Sequence, residues 1–431
     1  MKNLGRLGLA GVLLLALAAF VEQSGVQAAG GPQETAGGYY KVLAPIESGN
    51  LLLFPVVRAS GKSGGATPFI TLDEGIKSGQ VEVTEAGRAQ GLVRQRGMIG
   101  VPPYRGDGYP QYPNHNQGYR GDEVNTLVLV NNSDKPLLLL AGEIVTGGKQ
   151  DRVIAKDRVV PAGSEPIDLG VFCIEPGRWT ASSETFGSSA KAPAHSFMVQ
   201  PSVRERAMVA KDQQEVWNSV RGSISQMEVA AAPSASTAMG GGSGYYRSMG
   251  TTSYARAMED SSVSAKVDEA AAPVMKAREQ LIAQLRKEGA IGVVVAVRGE
   301  IVWADLFVDT DLLSRYWTKL VRSYAAESLT EGGSHAAPTV ADAQHFLDAP
   351  SGGTETSEGD VGVYRYRELR ASGTETFVLE SLLPGTGYDV HISKLKLREV
   401  VWHTPKPRPY PHDPMIPPAI PPPHYEPQIY R

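Results

Sequence analysis

Acids, amides and cations crowd into two short stretches of this chain, residues 141–152 (AGEIVTGGKQDR) and residues 173–179 (CIEPGRW). Glu143, Asp151 and Glu175 are carboxylates, and two of them in one site could divide the work of general acid and general base. Glu143 and Glu175 are the candidate catalytic residues. Lys149, Gln150, Arg152 and Arg178 supply donors and are the candidate ligand-binding residues. The Gly147-Gly148 pair permits a turn whose backbone N–H groups face an anion. The chemistry these types allow is therefore recognition of a small anionic molecule. A second reading stays open beside it, in which the acids are salt-bridged to Arg152 and Arg178 and the glycines form a β-turn or bulge.

More specific chemistries fail on spacing. A Walker loop needs G-x-x-x-x-G-K-[ST], but Lys149 is followed by Gln150, and Val56 stands where Gly61-Lys62-Ser63 would need a first glycine. Cys173 and Arg178 are separated by four residues where a phosphatase loop has five, and Pro176-Gly177 interrupt. At the end of an apolar run, Cys173 reads as a small buried hydrophobe. The histidines His115, His195, His335, His345 and His391 are scattered, with three more near the end of the chain. No H-x-x-x-H, cysteine pair or G-x-S-x-G is present, so no metal site, cofactor or hydrolase elbow is expected. With 42 basic against 46 acidic residues, a nucleic-acid partner is not expected either.

The surrounding elements must position these groups. Residues 50–57 read as a strand, with Pro55 at an edge or bulge. Thr71 caps a short helix carrying Asp73 and Glu74 in its first turn and ending at Gly79. Residues 126–130 and 137–140 read as a hairpin, and strands continue through 144–145, 152–155, 158–160 and 167–174. A helix is expected over 201–220. Residues 263–287 read as helix, and residues 291–297 and 301–307 as a hairpin about Arg298-Gly299. Residues 312–326 (LLSRYWTKLVRSYAA) read as an amphipathic helix, 339–347 as a short helix, and 364–369, 374–382 and 388–397 as strands. The fold class is α+β, a β-rich N-terminal half followed by helix-plus-β-hairpin units in the C-terminal half.

Domain limits follow from composition. Lys2, Arg6, the apolar residues 7–20 and Val26-Gln27-Ala28 read as a signal peptide over 1–28. The run is shorter than the roughly 20 residues that span a bilayer, so cleavage is expected to leave no transmembrane segment. A lone cysteine in an exported chain suits a bacterial periplasm or secretion. One domain is expected over 39–398, interrupted by a disordered insertion at about 229–260 and followed by a Pro-rich disordered tail over 404–431. The tail either contacts a partner in the cell envelope or stays solvated. The Tyr-, Pro- and Gly-rich loop at 97–120 is either a surface insertion or a cover for a site.

Gly142-Glu143, Gly147-Gly148-Lys149-Gln150-x-Arg152 and Cys173-x-Glu175-x-Gly177-Arg178-Trp179 together resemble the ARPP-1 domain family, named for its association with ADP-ribosylglycohydrolases and rhodanese–phosphatase superfamily proteins. The likeness continues through Glu215-Val216-Trp217, the 292–307 hairpin with Asp305, and Trp317-x-Lys319-Leu320-x-x-Ser323-Tyr324-Ala325, and spans roughly 51–393. Asp151 departs from it, standing where the family usually has Asn. The resemblance implies no established activity, only an association with ADP-ribose or nucleotide metabolism. Two functions are carried forward: an exported protein with a charged site for a small anionic ligand, and a non-catalytic structural or interaction protein of the cell envelope.

Overall fold

Alternating hydrophobic patterns build three buried clusters, and the strands are best taken in chain order. The computed structural model describes residues 39–59, 67–85, 126–178, 181–188, 197–232, 250–276, 287, 289–329 and 336–397. The expected signal peptide, the 97–120 loop and the 404–431 tail lie outside them. First come β1 (Tyr40–Val42), β2 (Ile46–Ser48), β3 (Leu51–Arg58), β4 (Ile70–Thr71), α1 (Leu72–Lys77) and β5 (Val81–Glu85). Then follow β6 (Thr126–Asn131), β7 (Leu137–Leu139), β8 (Ile144–Gly147), β9 (Arg152–Ile154), β10 (Arg158–Val160), β11 (Ile167–Cys173) and β12 (Phe186–Ser188). The helices α2 (Pro201–Glu205), α3 (Gln213–Ala231), α4 (Tyr254–Glu259) and α5 (Ser261–Lys276) come next. The chain then makes β13 (Ala290–Val297), β14 (Glu300–Phe307), α6 (Thr310–Ser328) and α7 (Val340–Asp348). It finishes with β15 (Thr354–Asp360), β16 (Tyr364–Ala371), β17 (Thr374–Ser381) and β18 (Asp389–Lys396).

The six-stranded sheet runs β12-β8-β9-β11-β6-β5. Its outer strands meet again through a bridge between Thr84 and Thr185, so it closes into a small barrel. A barrel of this size is filled by its own side chains, here Val83, Leu127, Leu129, Val145, Ile154, Leu169, Val171 and Phe186 among others. On β7, Leu137 and Leu139 enter this barrel core while Leu138 points to the main core. The period-2 alternation of a strand thus bolts the barrel to the rest of the protein.

The nine-stranded sheet runs β1-β3-β13-β14-β18-β17-β16-β15, with β2 also on β3. Val293, Val295 and Val297 pack into the main core with α3, α5 and α6, while Val294 and Ala296 pack with Ala343 and Phe346 of α7. Both faces of β13 are covered, which is why IGVVVAV has no polar alternation. Pro55 sits in an interior strand, opposite the gap between β1 and β2 where no N–H is called on; its carbonyl accepts from the Leu43 N–H at 2.8 Å.

The α+β class holds, as do the Thr71 capping box and the hairpin turn, where Arg298 (φ 52) and Gly299 (φ 82) both take the left-handed conformation a two-residue hairpin needs. Two expectations about pairing and helix length are corrected. β6 and β7 are not hairpin partners: β6 pairs with β5 and β11, and β7 with β4 and β10. The helix expected over 201–220 is broken by a π-helical turn (Arg206–Ala210) and by left-handed Lys211 (φ 52), after which Asp212 caps α3. The helix expected over 312–326 is present as α6, and only Asp311, Arg315 and Thr318 in it escape burial. β15 (TETSEGD) is exposed along its whole length and has no apolar pattern to betray it.

The stretch expected to be a disordered insertion is helical at both ends. α3 runs to Ala231, and α4 buries Tyr254, Ala255, Ala257 and Met258; residues 233–249 between them lie outside the described residues. No helix among the described residues is long and apolar enough to cross a membrane.

Candidate functional site

Antiparallel order brings the end of β5, the end of β8, the start of β9, the end of β11 and the start of β12 to one mouth of the barrel. Five of the six candidate residues gather there. The β8–β9 turn is tight because Gly147 (φ 127) and Gly148 (φ 49) both leave the conformations other residues prefer. A Cβ on Gly148 would stand 2.3 Å from the Phe186 ring and 2.7 Å from a Glu85 carboxylate oxygen. The turn does present successive N–H groups, but the protein's own oxygens fill them. Gly147 N–H donates to Asp151 Oδ1 at 3.1 Å, Gly148 N–H to Ser183 Oγ at 3.1 Å, and Lys149 N–H to Glu85 Oε1 at 3.0 Å.

The side chains close the same circuit. Arg178 Nη2 lies 2.6 Å from Glu175 and 3.4 Å from Asp151, and its Nη1 donates to the Gly148 carbonyl at 2.9 Å. Glu175 accepts the Asp151 N–H at 3.2 Å, and Ser253 donates to Asp151 Oδ2 at 2.6 Å. Arg152 Nη2 lies 3.7 Å from Glu85, its Nη1 donates to the Gln150 carbonyl at 2.5 Å, and the guanidinium stands 5.9 Å from the Phe186 ring centre. Burial raises the Asp151 carboxyl above its ordinary range, helped by the Glu175 charge and opposed by the Ser253 hydrogen bond. For Arg178 burial works downward, and the Glu175 hydrogen bond and charge outweigh it to leave the guanidinium raised. Gln150 is wholly buried, and neither end of its side-chain amide has a hydrogen-bond partner among the described residues. Cys173 closes β11 beside Arg152; burial pushes its thiol up to about 11, the opposite of what a nucleophile requires.

Glu143 stands apart from the mouth. Its carboxylate receives the Leu140 N–H at 2.8 Å and the Lys319 ammonium at 2.6 Å, and Lys319 is also 2.6 Å from Asp73. Burial raises the Glu143 carboxyl, against the Lys319 charge, and Asp73 adds to the rise because two carboxylates share one cation. Lys319 is raised too: burial lowers it, and the Asp73 and Glu143 charges outweigh that.

A third polar cluster, which reasoning from the sequence did not assemble, lies at the centre of the molecule. Arg204 grips Asp305 with two bonds, at 2.9 and 3.1 Å, and its guanidinium stands 4.4 Å from the Trp303 ring centre. Tyr324 also donates to Asp305, as does Ser393 at 2.9 Å. His391 bridges the acids, with Nδ1 2.6 Å from Asp157 and Nε2 3.3 Å from Asp305. Asp157 in turn accepts the Ala141 N–H at 2.7 Å, and a Cβ on Gly142 would come 2.5 Å from the Arg204 side chain. Although burial lowers His391, the two carboxylates outweigh it and lift the imidazole to about 9. Arg204 and His391 hold Asp305 well below the usual carboxylate range despite its burial.

A carboxylate inside the apolar strand EIVWADLF was the one sequence signal for this cluster, because a charge there must find a buried partner. Nothing local pointed to Glu85, Ser253, Asp157, Arg204 or His391. The three clusters share the 141–152 stretch, since Ala141 and Gly142 touch the central one, Glu143 touches Lys319, and residues 147–152 form the mouth.

Comparison with curated proteins and with solved structures finds no match. Across residues 39–395 the chain matches the ARG and Rhodanese-Phosphatase-superfamily-associated Protein domain, and it belongs to that family, ARPP-1.

Proposed function

We propose that this ARPP-1 protein is an exported, non-catalytic binding domain whose binding surface is the barrel mouth formed by residues 147–152 and 175–178. The observation that carries this reading is the internal pairing of the charged signature. Glu175 is matched by Arg178, Glu143 by Lys319 and Glu85 by Arg152, so the acids act as struts and not as proton shuttles. Barrel mouths are recurrent ligand sites because rigid strands surround a short turn, and here the turn is pinned on both sides. Export rests on the residue pattern of 1–28 and predicts a mature chain starting near Ala29; mass spectrometry of material from the native host reads this directly.

A second reading, recognition of a small anion, is supported by Arg178, whose side chain is 17 % exposed and so reaches solvent at the rim. The family's association makes ADP-ribose, ADP and inorganic phosphate the probes to use. Incubation with each is expected to give no turnover. Turnover that disappears in Glu175→Gln would replace the binding reading with an enzymatic one, and saturable phosphate binding lost in Arg178→Ala would establish the anion reading.

A further inference from the structure

Gln150 stands in the β8–β9 turn of the mouth, and its side chain is the feature that the pairing of the charged groups does not use. Its side-chain amide is fully buried, yet among the described residues neither Oε1 nor Nε2 meets a hydrogen-bond partner. Buried amides are rarely left so, because each end has lost its water and gained nothing. The backbone on either side is fixed: Arg152 holds the Gln150 carbonyl, Glu85 holds the Lys149 N–H and Glu175 holds the Asp151 N–H. The turn therefore holds the backbone of this residue in a set place.

Resting on the reading of the mouth as a binding surface, we infer that Gln150 reads a neutral edge of the ligand that carries a hydrogen-bond donor and an acceptor side by side. A glutamine amide is itself such an edge, with Oε1 accepting and Nε2 donating. Its complement is a carboxamide, a lactam or a nucleobase edge, the pairing glutamine makes with adenine in nucleic acids. The charges around this position are already matched within the chain. Arg152 faces Glu85, and Arg178 faces Asp151 and Glu175, so a neutral edge docks without disturbing a balanced set of charges. Since the amide is covered in the unliganded chain, neighbouring side chains shift before the edge docks, and association is slow.

The test is calorimetric titration of the full chain with nicotinamide and with adenine, two sources of the edge, against nicotinate, which presents a carboxylate on the same ring, and inorganic phosphate. Nicotinamide or adenine is expected to bind at least tenfold more tightly than nicotinate. Gln150→Met, which keeps the volume and removes the amide, is expected to weaken that binding at least tenfold while leaving the thermal midpoint unchanged or higher. In the wild-type protein the Gln150 side-chain NH2 resonance should move on adding the amide probe. Equal binding of nicotinamide and nicotinate overturns the inference. So does a Gln150→Met variant that melts several degrees lower, since the amide would then serve the fold through an internal water. Phosphate binding that depends on Arg178, with no response to either amide probe, sinks this inference and leaves the anion reading standing. No binding of any probe removes both.

Discussion

The central network and the mouth cluster use the same residue types to opposite ends. At the centre, Arg204, Asp305, His391, Asp157 and Tyr324 are sealed from water, and Asp305 is held by Arg204, Tyr324, Ser393 and His391 together. At the mouth, Arg178 touches solvent, and the Gln150 side-chain amide has no hydrogen-bond partner among the described residues. Removing charges from water costs more than one ion pair returns unless further bonds complete it. The charged groups of both regions meet that condition, but the central ones are sealed while Arg178 keeps an exposed edge, so the first reads as architecture and the second is the place proposed for binding.

Mutations can break or sharpen this contrast. Arg204→Met strands Asp305 and is expected to cost about 3–5 kcal/mol in urea unfolding; a cost below roughly 1 kcal/mol would show that the network holds nothing together. Lys319→Met should cost about 3 kcal/mol near neutral pH. Its deficit should shrink toward pH 5, because Glu143, already raised by burial, takes up a proton once its cation is gone. Equal deficits at pH 5 and pH 8 would contradict that account.

The pH profile of the wild-type protein separates the two regions further. His391 is raised in the folded chain from 6.5 to about 9. Its stabilisation is therefore complete below pH 6.5 and fades as pH climbs through 9, a change on the order of 3 kcal/mol. His391→Gln should flatten that slope, and an unaltered slope would assign the titration elsewhere. The smallest effect is expected at the mouth. Arg178→Ala should cost roughly 1 kcal/mol, as for other ion pairs that water can reach, and a loss matching Arg204→Met would erase the distinction.

Local chemistry carried much of the fold into the sequence. Thr71 with Glu74 announced a capped helix, and Arg298-Gly299 between apolar runs announced a hairpin, because caps and tight turns depend on residues a few positions apart. β6 and β7 were misjudged as partners because closeness in the chain favours pairing, whereas the two faces of β7 are claimed by different cores. β15 escaped because neither of its faces is buried. Of the candidate site, Lys149, Gln150, Arg152, Glu175 and Arg178 were placed together by two stretches that happen to share one barrel end. Glu143 was grouped with them by sequence alone. Its true partner Lys319 lies 176 positions away, a distance over which spacing carries no information.

The Thr84–Thr185 bridge gives the barrel a seam. Most of its junctions are ladders, such as Val81–Glu85 against Leu127–Asn131, but β12 meets β5 at one bridging pair, reinforced by Thr84 Oγ1 donating to the Glu184 carbonyl at 3.3 Å. These partners are 100 positions apart, so closing the seam is a late and entropically costly event when the chain folds. In the native state the same junction should open before the ladders do. Backbone amides of β12 are then expected to trade hydrogen for deuterium well ahead of those of β6 and β11, loosening one wall of the barrel while the nine-stranded sheet stays shut.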